Sequence, residues 1–202
     1  MERMNMDIAK VKNKIAQHKN ALATEKRKFG FYHDGAGRRY VIGPLYVSIG
    51  DIKGALKYYA WFEKNFPDDT GEPFQYLAWT LALYRSGDLD AARKKLIETM
   101  FQNLYIIPCL VGVALPPTDI DFTTNWEYPD YHFPKGHQEI WNAEAVNWAR
   151  AVYQSPLIQD ALAKEIELRR KLKNERPGPE RIRLLKEIRQ LEDTMIRSSD
   201  AE

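Results

Sequence analysis

Two stretches of this chain repeat each other at a fixed offset, and nothing else in it limits the fold so tightly. Tyr46-Val-Ser-Ile-Gly50-Asp51-Ile52 leads into Ala55, and Leu83-Tyr-Arg-Ser-Gly87-Asp88-Leu89 leads into Ala92. Gly50 matches Gly87, Asp51 matches Asp88, Ile52 matches Leu89 and Ala55 matches Ala92, always 37 residues apart. Self-similarity at such a period points to stacked helix pairs, each unit burying a face against the next. Gly allows the positive φ that ends one helix, and Asp offers a side-chain oxygen to cap the following one. The pattern predicts helices over 38–49 and 52–66, then over 74–86 and 89–103. Pro67 ends the second of these, and Pro73 suits the first turn of the third.

The pattern resembles the tetratricopeptide repeat, a unit of about 34 residues built from two antiparallel helices. The first copy carries Gly43, Tyr46, Gly50, Ala55, Tyr59 and Pro67 in order. The second keeps Ala78, Leu83, Gly87, Ala92 and Leu96, but Thr80 replaces a small residue and Leu104 replaces the closing Pro. Residues 70–72 absorb the surplus length. Segments 66–73 and 103–108 look like parts of bacterial members of this superfamily. The resemblance implies an all-α, stacked helix-pair array with a concave face that binds a peptide or partner protein, and it carries no activity. If Ile42, Gly43 and Tyr46 face the second helix, then Tyr40, Pro44, Val47 and Ser48 fall on the concave side. The same register places Leu77, Leu81, Tyr84 and Arg85 there. Aromatic, aliphatic and Arg side chains together suit peptide capture. Some members clamp a C-terminal carboxylate with Lys and Asn at such places; Tyr40 and Pro44 stand there instead, which argues against that role.

The flanks read differently. Residues 1–28 form an amphipathic helix, with Ile8, Ile15 and Leu22 seven apart and Val11 and His18 between them. Gly30, Gly35 and Gly37 mark a loop. His33-Asp34-Gly35-Ala36-Gly37-Arg38-Arg39 lacks the preceding strand and the Gly-Lys-Ser/Thr ending of a phosphate loop, so it is a connector. Residues 107–137 are an irregular, proline-interrupted stretch whose aromatics, Phe122, Trp126, Tyr128, Tyr131 and Phe133, are too many for a disordered linker. Such a loop either gates the concave groove or plugs the open end of the second helix pair. Residues 138–175 read as a third helix pair. Residues 179–197 form a last helix with Leu184, Ile188, Leu191 and Met195 in a seam. Both terminal seams are too short to stand alone in water. They pack on the body, on each other, or across a homodimer.

The chemistry the chain excludes narrows the rest. A formal net charge of +2 gives no bulk attraction to nucleic acid. The charge is unevenly spread, with eight Lys/Arg against three Asp/Glu in residues 1–30, so a nucleic-acid-associated helical protein using basic terminal helices is the alternative. Cys109 is the single cysteine; it forbids an internal disulfide and, lying in an apolar run, is expected to be inert packing. No apolar run reaches membrane-span length, and a cytoplasmic location is expected. His132 and His137 lie near Asp119, Asp121, Glu127 and Asp130, but without the spacing of a metal motif. No nucleophile–base arrangement is legible. The sequence therefore predicts a non-enzymatic interaction scaffold with neither metal nor cofactor.

Overall fold

The computed structural model describes residues 7–131 and 139–198, and among them every regular element is helical. The two repeat copies are α2 (Arg38–Ser48) with α3 (Ile52–Asn65), and α4 (Pro73–Ser86) with α5 (Leu89–Gln102). Before them runs α1 (Ile8–Phe29); after them come α6 (Ile106–Val111), α7 (Ala143–Tyr153), α8 (Pro156–Asn174) and α9 (Pro179–Ser198).

The repeat extends to individual hydrogen bonds. The Asp51 carboxylate accepts from the Gly54 amide at 2.9 Å, and that of Asp88 from the Ala91 amide at 3.1 Å. The Gly50 amide donates to the Val47 carbonyl and the Gly87 amide to the Tyr84 carbonyl. Both glycines have positive φ, +74° and +86°, a conformation costly for a residue with a Cβ. Each bond has its counterpart 37 positions on, so the two turns are the same local structure.

Packing follows from small residues at the crossings. Ala55 and Ala92 are fully buried. A Cβ added to Gly43 would lie 2.4 Å from Cε1 of Tyr59, so the ring of α3 rests directly on the α2 backbone. Tyr59 then stacks on Trp79 of α4, with centroids 4.5 Å apart and planes 3° from parallel. Its hydroxyl donates to the Gln75 carbonyl at 3.3 Å. One side chain thus ties α2, α3 and α4 together.

The connectors are fixed by charge. Asp34, the buried residue of the Gly-rich loop, caps α2 with both oxygens, accepting from the Arg38 and Arg39 amides at 2.8 and 2.9 Å. Arg39 binds Asp34 and, at 2.6 Å, Asp69 in the α3–α4 connection. Burial and the Asp69 carboxylate push the Tyr40 hydroxyl up to about 12, so it stays protonated and donates to Asp69 at 3.0 Å.

Three expectations need correction. The third helix pair, 138–175, is not a pair of the expected kind: α7 lies against α6, and α8 packs chiefly along α9. Arg150 of α7 donates twice to the Val111 carbonyl at the end of α6, which ties α7 to α6. Within the irregular stretch 107–137, α6 is a helix, although Pro108 lies inside it; Pro is tolerated in a first turn, where its missing N–H has no partner to lose. Cys109 is exposed rather than packed, because the buried face of α6 consists of Ile106, Ile107, Pro108 and Val111. Both terminal seams pack on the body: Ile15 and Leu22 are buried where α1 meets α2, and Leu184, Ile188 and Met195 are buried on α9.

The crossings give the first prediction. Gly43→Ala, Ala55→Leu and Ala92→Leu should each cost roughly 1–3 kcal/mol by overpacking, read as a lower urea midpoint. Parental midpoints for all three would contradict the packing described here.

Candidate functional site

The open aromatic face expected from the repeat register is closed. Tyr40, Pro44 and Val47 of α2 are buried, and so are Leu77 and Leu81 of α4. The reason is that α2 meets α1 on one side and α3 and α4 on the others. Ser48 is half-buried, its hydroxyl spent on the Leu45 carbonyl at 2.8 Å. Tyr84 packs on Trp148 of α7 with ring centroids 4.8 Å apart. The Arg85 guanidinium, although Arg85 is exposed, donates to the Ile140 carbonyl. The helices outside the repeats occupy the surface where a ligand was expected.

The aromatic loop lies by the end of the second helix pair, not over the repeat face. Asn103, buried just after α5, holds it: its amide nitrogen donates to the carbonyls of Trp126 and Tyr128 at 2.6 and 3.2 Å. Its amide oxygen accepts from the Tyr105 and Ile106 amides, both at 2.9 Å, and starts α6. All of the side chain's strong bonding capacity is used, which sets the chain path after the second repeat. Phe122 lies 6.3 Å from the Tyr105 ring and 4.9 Å from that of Tyr128. The Tyr131 hydroxyl donates to Glu72 at 3.2 Å, just before α4. Phe122, Trp126, Tyr128 and Tyr131 therefore cover the end of α5 and the start of α4. Phe133, His132 and His137 lie outside the described residues.

The loop's carboxylates anchor it to α8 and α9. Asp119 meets Arg170 at 3.1 Å and Asp121 meets Arg181 at 3.0 Å. Arg181 also donates to the Leu172 carbonyl at 2.8 Å, closing the α8–α9 turn. Glu127 accepts from Thr123 and reaches Arg169 at 3.1 Å. Among the described residues no cluster of His, Cys, Asp and Glu could hold a metal.

These contacts frame a cleft of about 690 Å3 between the loop, the end of α5 and the α8–α9 pair. Phe101, Trp126, Leu172 and Ile188 supply apolar walls, while Ile182 and Leu185 line it from α9. Ile182 is 55% exposed and Leu185 39% exposed. Neither belongs to the seam read from the sequence. They occupy the neighbouring row of the same helix, which nothing among the described residues covers.

Arg169 is the cleft's buried charge. Glu165, one turn earlier and fully buried, accepts from its Nε at 2.5 Å. Glu127 stands 3.1 Å from Nη1 and Glu192 3.9 Å from Nη2. Three carboxylates thus share one guanidinium, and they cannot all ionise at ordinary cost. Burial raises the Glu165 carboxyl above its ordinary value. Burial first, and then the Glu165 charge, push Glu192 up to about 7. A carboxyl titrating near neutrality inside an apolar-walled cleft is a feature of functional sites. The i, i+4 spacing of Glu165 and Arg169 was legible in the sequence; the arrival of Glu127 and Glu192 was not.

Glu192 sets the second prediction. The folded carboxyl keeps its proton to about pH 7, whereas an ordinary glutamate releases it near 4.5. The folded state binds the proton more tightly, so this contribution is complete below pH 4.5 and is lost as pH rises through 7. Discounted for partial exposure, it is on the order of 2 kcal/mol. Between pH 5 and pH 8 the parent should lose that much more stability than Glu192→Gln, measured by urea unfolding at both values. Parallel pH dependence in the two proteins would contradict the assignment. No family model, curated protein or solved structure matches the chain.

Proposed function

We propose that the chain is a non-enzymatic interaction scaffold, and that its partner protein or peptide docks in the cleft beside α9. One observation carries this reading: Ile182 and Leu185 stand exposed on a cleft whose walls are already apolar. Contiguous exposed apolar surface rimmed by polar groups is characteristic of interaction sites. Lys186, Arg189 and Glu98 also line the cleft and supply polar groups around these walls. An amphipathic segment of the partner, offering two or three apolar side chains to the walls, fits this geometry.

The repeat supports the same reading. The resemblance to tetratricopeptide proteins suggests a rigid binding scaffold, although the surface proposed here is not the concave face. The loop belongs to this proposal as a wall of the cleft, so its aromatic residues, Trp126 above all, help to form the binding surface. The single cysteine and the absence of a helix long and apolar enough to cross a membrane among the described residues suit a partner met in the cytoplasm.

A nucleic-acid partner is the second reading. It rests on Lys10, Lys12, Lys14 and Lys19, which are exposed along α1. The C-terminal helix supports it less, since Arg183 is tied to Glu180 and Glu187. A homodimer through the terminal helices would have to use what the body leaves uncovered, such as Ile8 on α1 and the Ile182–Leu185 row on α9.

Affinity capture with the parent and with Ile182→Asp/Leu185→Asp distinguishes these readings. Both positions are exposed, so the variant should melt within about 1 kcal/mol of the parent. It should lose a partner that the parent retains. Retention of every captured protein by a folded variant would refute docking at this cleft. Binding to DNA or heparin that falls steeply with salt would favour the second reading.

A further inference from the structure

Another cavity, of about 390 Å3, lies between α1, α2 and α3. Its walls are Tyr32, Tyr46, Tyr58 and Trp61, and Lys19 and Lys57 also line it. The rings form one continuous surface. Tyr32 meets Trp61 edge-on with centroids 5.4 Å apart, Tyr58 lies 5.3 Å from Trp61, and Tyr46 lies 6.5 Å from Tyr58. The Tyr58 hydroxyl is committed to the Arg39 carbonyl at 2.8 Å, which fixes that ring in place. We infer that this cavity is a binding site for a small aromatic carboxylate, with the planar body against the rings and the anion at the two lysines.

The choice of charge follows from the lining. A box of aromatic rings attracts cations through the negative faces of the rings. Here any cation would also face two ammonium groups, and no carboxylate among the described residues lines the cavity. Two carboxylates close to lining residues are already engaged: Asp51, beside Gly54, caps α3, and Asp34, which acts on Tyr58, is held by the Arg38 and Arg39 amides and the Arg39 guanidinium. Lys26, over the Tyr32 ring at 5.2 Å, adds a third positive group nearby. An anion with an apolar body satisfies both the rings and the ammonium groups. The volume lies at the small end of the range for ligand sites, which fits a compact molecule.

The space is also kept open at a cost to the helix. Gly54 lines the cavity in the first turn of α3, where glycine is a poor helix former. Its counterpart in the second repeat, 37 residues on, is Ala91. A Cβ at Gly54 would lie 2.5 Å from the capping carboxylate of Asp51 and 2.8 Å from Cδ1 of Tyr46, so the cap and that ring would both have to shift. The glycine lets Tyr46 lie where it forms part of the wall.

Calorimetric titration of the full chain with 2-naphthoate tests the assignment, with 2-(aminomethyl)naphthalene as the matched cation. The parent should bind 2-naphthoate saturably at one site and at least tenfold more tightly than the amine. Lys19→Glu/Lys57→Glu changes only exposed positions, and should weaken naphthoate at least tenfold while leaving the melting temperature unchanged. Ile182→Asp/Leu185→Asp should bind naphthoate like the parent, so this result stands or falls apart from the cleft. The inference is overturned by no naphthoate binding, by equal affinity for the amine, or by full affinity in the folded double-lysine variant. A Trp-ending peptide that binds more tightly than its free aromatic acid would likewise overturn the small-molecule assignment, in favour of a chain terminus.

Discussion

The ring of Tyr59 is the contact on which the rest of the molecule depends. It can lie where it does only because Gly43 has no Cβ. From there it stacks on Trp79 and donates to the backbone of α4, so two helix pairs become one body. A fully buried aromatic ring in planar contact with another combines a large apolar burial with a fixed geometry. The position of α4 fixes α5, and the end of α5 carries Asn103, from which the loop is hung. The cleft walls descend from that crossing through a chain of specific contacts.

Some of this was legible in the residues. The offset of 37 predicted both turns, both aspartate caps and both small-residue crossings, because those features are local and chemically obligatory. Helix limits came within a few residues for the repeats. Legibility ended where two faces of one helix compete for neighbours. Tyr40, Val47, Leu77 and Leu81 have the composition of a binding face, and the same composition suits a core. Only the docking of α1 and α7 decides between them, and periodicity says nothing about docking. That α8 packs chiefly along α9 escaped for the same reason: it rests on Leu168 and Leu172 meeting Leu184 and Ile188, a docking that periodicity does not reveal.

The cleft shows what a sequence hides most effectively. Its polar residues come from the loop, α8 and α9, and their spacing along the chain follows no motif. Glu165 and Arg169 alone would read as an ordinary helix-surface pair. Brought under Glu127 and Glu192, and away from water, they become a cluster whose protonation changes near neutral pH. The exposed row of Ile182 and Leu185 was likewise masked by the stronger seam beside it, since both belong to one charged helix. What sets the row apart is that nothing among the described residues covers it.

That docking happens at this cleft is the central claim, and site-specific photocrosslinking tests it most directly. A photoreactive residue at position 185 would report on the cleft, and the same residue at position 89, an exposed apolar site at the start of α5, would serve as the reference. The account predicts a discrete covalent adduct in cells from position 185 and none from position 89. Equal adduct patterns at the two positions, or an adduct from position 89 alone, would contradict it.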